Sequence, residues 1–233
     1  MKKMKAMVLT LCACIVMMGC NNLGKGTAIG AAGGALLGAI VGKVAGNTAV
    51  GAAVGTAVGA GAGALIGKHM DKVKAQAEAV QNAQVQSITD ANGLQAVQVT
   101  FDSGILFQSG KAVLNNAAKT SLTQFANNVL KVNTDCDVAI QGFTDNAPFK
   151  GKTAAQSQQL NLELSQQRAQ AVTSYLLSQG VSASQIRSTT GFGEANPVAD
   201  NSTAAGKAQN RRVEVLLYAS QAMINAAEQG TLR

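Results

Sequence analysis

Two arginines stand where apolar neighbours leave little room for a solvated charge. Arg168 has Leu164 four residues before it and Val172 four after, which puts it on the core-facing stripe of a helix. Arg211 shares strand parity with Val213 and Val215 and points to the same packed side. A guanidinium held in such a place presents a rigid, planar fork of donors that matches a carboxylate. Arg212 and Glu214 have the opposite parity and read as an ordinary surface ion pair. Other reactive types are scarce. His69 is the only histidine. It precedes the globular part and marks the end of an apolar segment, so a His-based zinc cluster or a Ser-His-Asp triad inside that part is excluded. Of four cysteines, Cys12 and Cys14 lie in a leader, Cys20 ends it, and Cys136 stands just before an apolar strand. A thiol there reads as a small core residue rather than a nucleophile.

The leader runs over residues 1–19. Lys2, Lys3 and Lys5 make a charged n-region, and Ala6 to Met18 make an apolar h-region too short to span a bilayer. Met17-Met18-Gly19-Cys20 resembles a bacterial lipobox, in which the cysteine is lipidated and becomes the mature N-terminus. Two or more acyl chains on Cys20 anchor a protein stably, where one chain would not. Asn21 is not the aspartate that resembles an inner-membrane retention signal, so the outer membrane is the expected location, with the globular domain in the periplasm. With Cys20 acylated, Cys136 has no disulfide partner. The formal charge is +7, of which the three leader lysines supply three, leaving the mature chain nearer +4. There is no basic run and no tryptophan, which argues against nucleic-acid binding.

Residues 20–68 carry a glycine ladder. Gly26, Gly30, Gly34, Gly38, Gly42 and Gly46 step by four, and Gly51, Gly55, Gly59, Gly63 and Gly67 do so again after one slip at Gly46-Asn47-Thr48. Glycine costs about 1 kcal/mol per helical position relative to Ala. The ladder therefore makes sense where another backbone approaches closely, as in small-xxx-small packing. It predicts two helices, 26–46 and 48–68, folded as a hairpin and each about 30 Å long, a bilayer's hydrocarbon thickness. A homo-oligomer, forming a membrane-inserted pore or membrane-perturbing assembly, is the alternative role for this segment. Residues 69–93 turn polar, with Val73, Ala77, Val80 and Gln84 on one stripe, and read as a solvated helical spacer.

From residue 94 the pattern is that of a mixed domain extending to 219. Leu94 to Phe101 alternates as a strand, and a helix capped by Ser109 carries Val113, Leu114, Leu122, Phe125 and Val129. Val138 to Phe143 is a strand, a polar loop covers 144–159, and a second helix covers 160–179. Ile186 to Gly191 and Arg211 to Tyr218 are further strands, and 220–233 is a loosely helical tail. The order is β-α-β-α-β, a loop, then β: an α+β domain with two helices on one side of a small mixed sheet.

Four blocks, TFDSGILFQSGKAVL, AIQGFTDN, NLELSQQRAQAVTSYLLSQGV and GFGEANPVADNSTAAGKAQNRRVEV, resemble in order the OmpA-like C-terminal domain of peptidoglycan-associated lipoproteins. The resemblance implies non-covalent binding of peptidoglycan through the diaminopimelate of its stem peptide, no cofactor and no catalysis. Diaminopimelate ends in an ammonium and a carboxylate. By the resemblance, Asp145 takes the ammonium, Arg168 grips the carboxylate and Arg211 adds a second basic group, while Asp102, Thr144 and Asn161 give supporting polar contacts. The plainer roles are a loop cap for Asp145 and a strand-end turn for Asp102. Phe143 replaces the histidine of the family's GHTD-like motif, and the 146–159 loop is longer than usual; both are expected to flank the pocket. A wall hydrolase would need a suitably spaced carboxylate pair or His-bound zinc; with one histidine outside the domain and no nucleophile beside a base, the sequence disfavours it. The expected role is to tether the outer membrane to the cell wall.

Overall fold

The computed structural model describes residues 58–232 apart from 91 and 109. The lipobox, the first glycine helix and the first half of the second, through residue 57, lie outside the described residues, as does Ser109. Helix α1 (Ala60–Glu78) leads into β1 (Ala83–Thr89) and β2 (Gln95–Asp102). A single turn, α2 (Ser103–Leu106), precedes α3 (Asn116–Phe125), whose end widens into a π-turn over Ala126–Leu130. Then come β3 (Cys136–Gly142), α4 (Ala154–Ser178), β4 (Ile186–Gly191), α5 (Ala204–Asn210), β5 (Arg212–Ala219) and α6 (Gln221–Glu228).

The sheet order is β1-β2-β5-β3-β4, antiparallel throughout except for β3 beside β4. Parallel neighbours need a long crossover, and α4 supplies it. Val97, Val99, Phe101, Val138, Ile140, Val213, Val215 and Leu217 point from three strands to one face and form a common core with α1, α3, α4 and α6. Ala96, Ala139, Leu216 and Tyr218 make a small second cluster on the other face. The expected mixed sheet with its helices on one side is therefore present, enlarged by strand β1, helices α1 and α6, the short turn α2, and α5 in the loop expected before the last strand.

Those additions correct three expectations. Residues 69–93 are not a helical spacer. Helix α1 runs through residue 68 without a break and buries Ile66, Met70, Val73 and Ala77 against the sheet. It ends near Asn82, which takes a positive φ of 61°, and β1 then pairs seven residues with β2. Within β1, Val85 packs against the main core and Ile88, of opposite parity, against the small cluster on the other face, while Gln84, Gln86 and Thr89 stay exposed. The domain therefore begins well before residue 94. The tail is not loose either: Ser220 caps α6, and Met223, Ile224 and Ala227 are buried. Helix α3 starts at Asn116, capped by the Asn115 side chain, rather than near Ser109, which leaves Val113 59% exposed. Among the described residues no helix is long and apolar enough to cross a membrane. The described ladder glycines Gly59 and Gly63 face open space, and a methyl group on Gly67 would meet only the Gln95 side chain, at 3.4 Å.

Candidate functional site

Helix α4 is the beam that carries the site. Thr153 and Gln156 form a reciprocal capping box at its start, so the helix opens six residues earlier than its apolar spacing predicts and takes up part of the expected 144–159 loop. Its approach to the sheet depends on two glycines. A Cβ on Gly142 would lie 2.2 Å from the Ser165 carbonyl oxygen, and one on Gly191 would lie 2.2 Å from the Gln166 nitrogen. The helix in turn fixes the loops beyond the strands. Ser165 Oγ accepts from Gly193 N at 2.8 Å, and Gln166 Oε1 accepts from Gly191 N at 2.6 Å. Gly193 O accepts from Thr144 N at 2.8 Å.

Beyond the C-terminal end of β3 these elements enclose a cavity of about 490 Å³. Asp145, Arg168, Arg211, Thr144 and Asn161 all line it. Asp145 Oδ2 accepts from Arg211 Nη1 at 2.6 Å, and its Oδ1 accepts from Ala147 N at 3.1 Å. Asp145 is thus a loop cap and an ion-pair partner together. Arg168 is 4% exposed. Its Nε donates to Lys111 O at 3.2 Å, and its guanidinium lies 5.3 Å from the Phe107 ring centroid. Burial holds its pKa below the ordinary guanidinium value, the like charge of Arg211 adds to that, and Asp145 opposes it. Arg168 Nη1, Thr144 Oγ1 and Ser103 Oγ are buried with no hydrogen-bond partner among the described residues. Buried polar atoms are ordinarily paired. Three of them lining one cavity are donors held ready for an acceptor that enters it.

Asp102 departs from this group. It belongs to β2, and its side chain caps the α2 turn by accepting from Gly104 N. That is the strand-end role. It positions Ser103 and Gly104, which do line the cavity, while Asp102 itself faces a different hollow beside Arg212 and Glu214. Phe143 is likewise not in the cavity wall. Its ring stacks on Phe192 at 5.3 Å and carries the Arg212 guanidinium at 3.9 Å on its face. Arg212 and Glu214 are no surface pair: they are 4% and 7% exposed, with Arg212 Nε 2.6 Å from Glu214 Oε1. Strand parity gave their direction correctly, but β5 is the central strand, and all eight of its residues are buried.

The apolar walls were not legible beforehand. Phe107, Pro148, Phe149 and Leu164 come from three separate segments, and nothing local marks them as neighbours. Asn210 was also missed. Fully buried, it accepts through Oδ1 from Val198 N and Ala199 N and donates through Nδ2 to Ala199 O and Asn201 Oδ1, at 2.8–3.0 Å. It thereby ties the loop before α5, at residues 198–201, to the position immediately before Arg211. The one carboxylate in this wall is opposed by two guanidiniums, a balance suited to holding a zwitterion or an anion rather than to acid–base cleavage.

Residues 106–211 match the model of the OmpA family, and residues 1–71 match the YMGG-like Gly-zipper. The chain is 40% identical over 152 residues to "Probable lipoprotein YiaD" of Escherichia coli K12, covering 65% of this chain and 64% of that protein. It is 42% identical over 88 residues to "Peptidoglycan-binding protein ArfA" of Mycobacterium bovis, covering 38% of this chain and 24% of that one. The chain thus spans under two thirds of the length of either relative. Among solved structures, the cell wall anchor of the T6SS from Pseudomonas aeruginosa has a TM-score of 0.51 at 28% identity, covering 65% of this chain and 97% of that chain.

Proposed function

Because residues 106–211 match the OmpA family and follow a Gly-zipper match over residues 1–71, we propose that the protein binds peptidoglycan without cleaving it and tethers the outer membrane to the cell wall. The observation that carries this reading is the cavity itself, lined by the Asp145–Arg211 ion pair and by Arg168, with three buried donors unpaired around them. The free end of a diaminopimelate residue fits this set. Its ammonium pairs with the Asp145 carboxylate, and its carboxylate enters the Arg168 fork, with Thr144 and Ser103 hydroxyls donating alongside. Asn161 orients the floor through Nδ2 to Ala147 O at 3.3 Å. Arg211 is already engaged with Asp145, so ligand entry shares rather than creates that ion pair. The relatives named above, a probable lipoprotein and a peptidoglycan-binding protein, and the structural neighbour, a cell wall anchor, support this reading. Lipid on Cys20 supplies the other end of the tether. Affinity at one site need only be modest, because a polymeric wall and a membrane anchor multiply it.

The test is titration calorimetry with a soluble muropeptide that carries diaminopimelate in its stem. Saturable binding is expected, lost in the Asp145→Ala, Arg168→Ala double variant. Undiminished binding by that variant refutes the site. Equal binding of a lysine-containing stem peptide, which lacks the second carboxylate, refutes diaminopimelate as the ligand. Mass spectrometry of the mature N-terminus checks the anchor, for which a lipidated Cys20 is expected.

A further inference from the structure

At the opposite end of β3 from the cavity, about 20 Å away at 3.3 Å per residue, lies a second cluster that the wall-binding role does not use. His69 on α1, Asp135 in the loop entering β3 and Cys136 at its first position offer one ligand atom each, all within 4.8 Å of one another. His69 Nε2 stands 3.5 Å from Asp135 Oδ1. Neither ring nitrogen of His69 has a hydrogen-bond partner among the described residues, although both are buried. Buried polar groups without partners call for an explanation, and an ion is one. Cys136 is the one described cysteine and is free; its Sγ completes a nitrogen–oxygen–sulfur set.

We propose that His69, Asp135 and Cys136 form a binding site for Zn²⁺ or a chemically similar transition-metal ion. Zinc–ligand bonds of about 2.0 Å to nitrogen and oxygen and 2.3 Å to sulfur place tetrahedral ligands about 3.3–3.6 Å apart. The His69–Asp135 separation of 3.5 Å already meets this spacing, and the Cys136 sulfur, within 4.8 Å of both, needs a shift of up to about 1.3 Å. A thiolate, an imidazole and a carboxylate select zinc, cobalt or copper over magnesium and calcium, which prefer all-oxygen shells. Three protein ligands leave a fourth position for water.

The backbone holding the set is braced independently of any metal. Asn133 donates to Gln76 Oε1 on α1 at 2.6 Å and to Val129 O at 2.7 Å. Gln185 Nε2 donates to Asn133 O at 2.8 Å, and Ser220 N donates to Asp135 O at 3.3 Å. The loop and α1 are thus already tied side by side. Binding through Cys136 Sγ releases the thiol proton to solvent as the Zn–S bond forms. The bound ion would clamp α1, the helix that carries the end of the glycine ladder, to the sheet. A single histidine outside the expected domain had excluded a zinc cluster within the globular part, but α1 brings that histidine into it.

The test uses the full mature chain, tag-free, in detergent, stripped with EDTA and kept reduced. Titration with Co²⁺ should give a thiolate-to-cobalt charge-transfer band and tetrahedral d–d bands at one equivalent, and Zn²⁺ should displace them. Zn²⁺ should also raise the thermal midpoint, reversibly on adding EDTA. His69→Gln and Asp135→Asn should each weaken binding by at least about tenfold, and Cys136→Ser should abolish the charge-transfer band. If Cys136→Ser does not fold, the two other variants decide. No charge-transfer band, or Zn²⁺ binding that survives His69→Gln and Asp135→Asn unchanged, overturns the proposal.

Discussion

Replacing Arg168 by Met separates a residue kept for ligand from one kept for stability, because the two effects have opposite signs. In the free protein the guanidinium is 4% exposed yet holds one hydrogen bond, Nε to Lys111 O. Losing that bond and the contact with Phe107 costs about 2 kcal/mol in all. Against this stands the desolvation of a buried cation, several kcal/mol, worsened by Arg211 nearby. Methionine fills the volume and places a polarizable sulfur against the Phe107 ring. The net expectation is a stabilisation of about 1 kcal/mol, read as a rise of roughly 2–4 °C in Tm for a unit of this size. Ligand binding moves the other way. A charge-assisted bond from the fork to a carboxylate is worth about 2–3 kcal/mol, so the muropeptide Kd should rise roughly 30- to 140-fold. Arg168→Lys should recover only part of this, since an ammonium keeps the charge but not the planar pair of donors. Differential scanning calorimetry and titration calorimetry on the same preparations give both numbers. A Tm that falls while Kd stays within about threefold of the parent would refute the reasoning and make Arg168 a structural residue.

Other perturbations test the frame around the site. Gly142→Ala places a methyl group 2.2 Å from Ser165 O, so α4 must retreat by more than 1 Å; overpacking should cost about 1–3 kcal/mol in chemical denaturation and should weaken muropeptide binding as well, since Asn161 and Arg168 ride on that helix. A fragment of residues 94–233 lacks α1 and β1 and uncovers the core surface beneath Ile66, Met70 and Val73, each worth about 1.5–3 kcal/mol when buried. It should unfold at lower urea than a 58–233 fragment or aggregate through the freed β2 edge; equal urea midpoints would show that α1 and β1 are dispensable. Glu214→Gln leaves Arg212 as a buried cation without its carboxylate and should cost about 3–5 kcal/mol, whereas replacing both residues by leucine should cost much less, as urea denaturation of the two variants will show.

The sequence by itself determined the order of β2, β3, β4 and β5, the amphipathic helices between them, and the side on which Arg168 and Arg211 lie. Those features follow from periods of two and 3.6, which are local. The four motif blocks were enough to expect the family resemblance, because they keep their order and spacing. Helix α1 and strand β1 were misread because glycine spacing and a polar run carry local signals that contact with the sheet overrides. Ile66, Met70, Val73 and Ala77 make an apolar stripe only if their helix ignores the apparent boundary at residue 68, and β1 is a strand because β2 offers it seven paired positions. Parity likewise put Arg212 and Glu214 on the correct face, but whether that face is wet depends on which strands flank β5, a matter of topology. Only the tertiary structure decided that Asp102 caps a turn while Asp145 pairs with Arg211 in a cavity shared with Arg168, that Phe107 and Phe149 wall the cavity, and that His69 meets Asp135 and Cys136. Each of these joins residues far apart in the chain, and periodicity carries no information about distance across a fold.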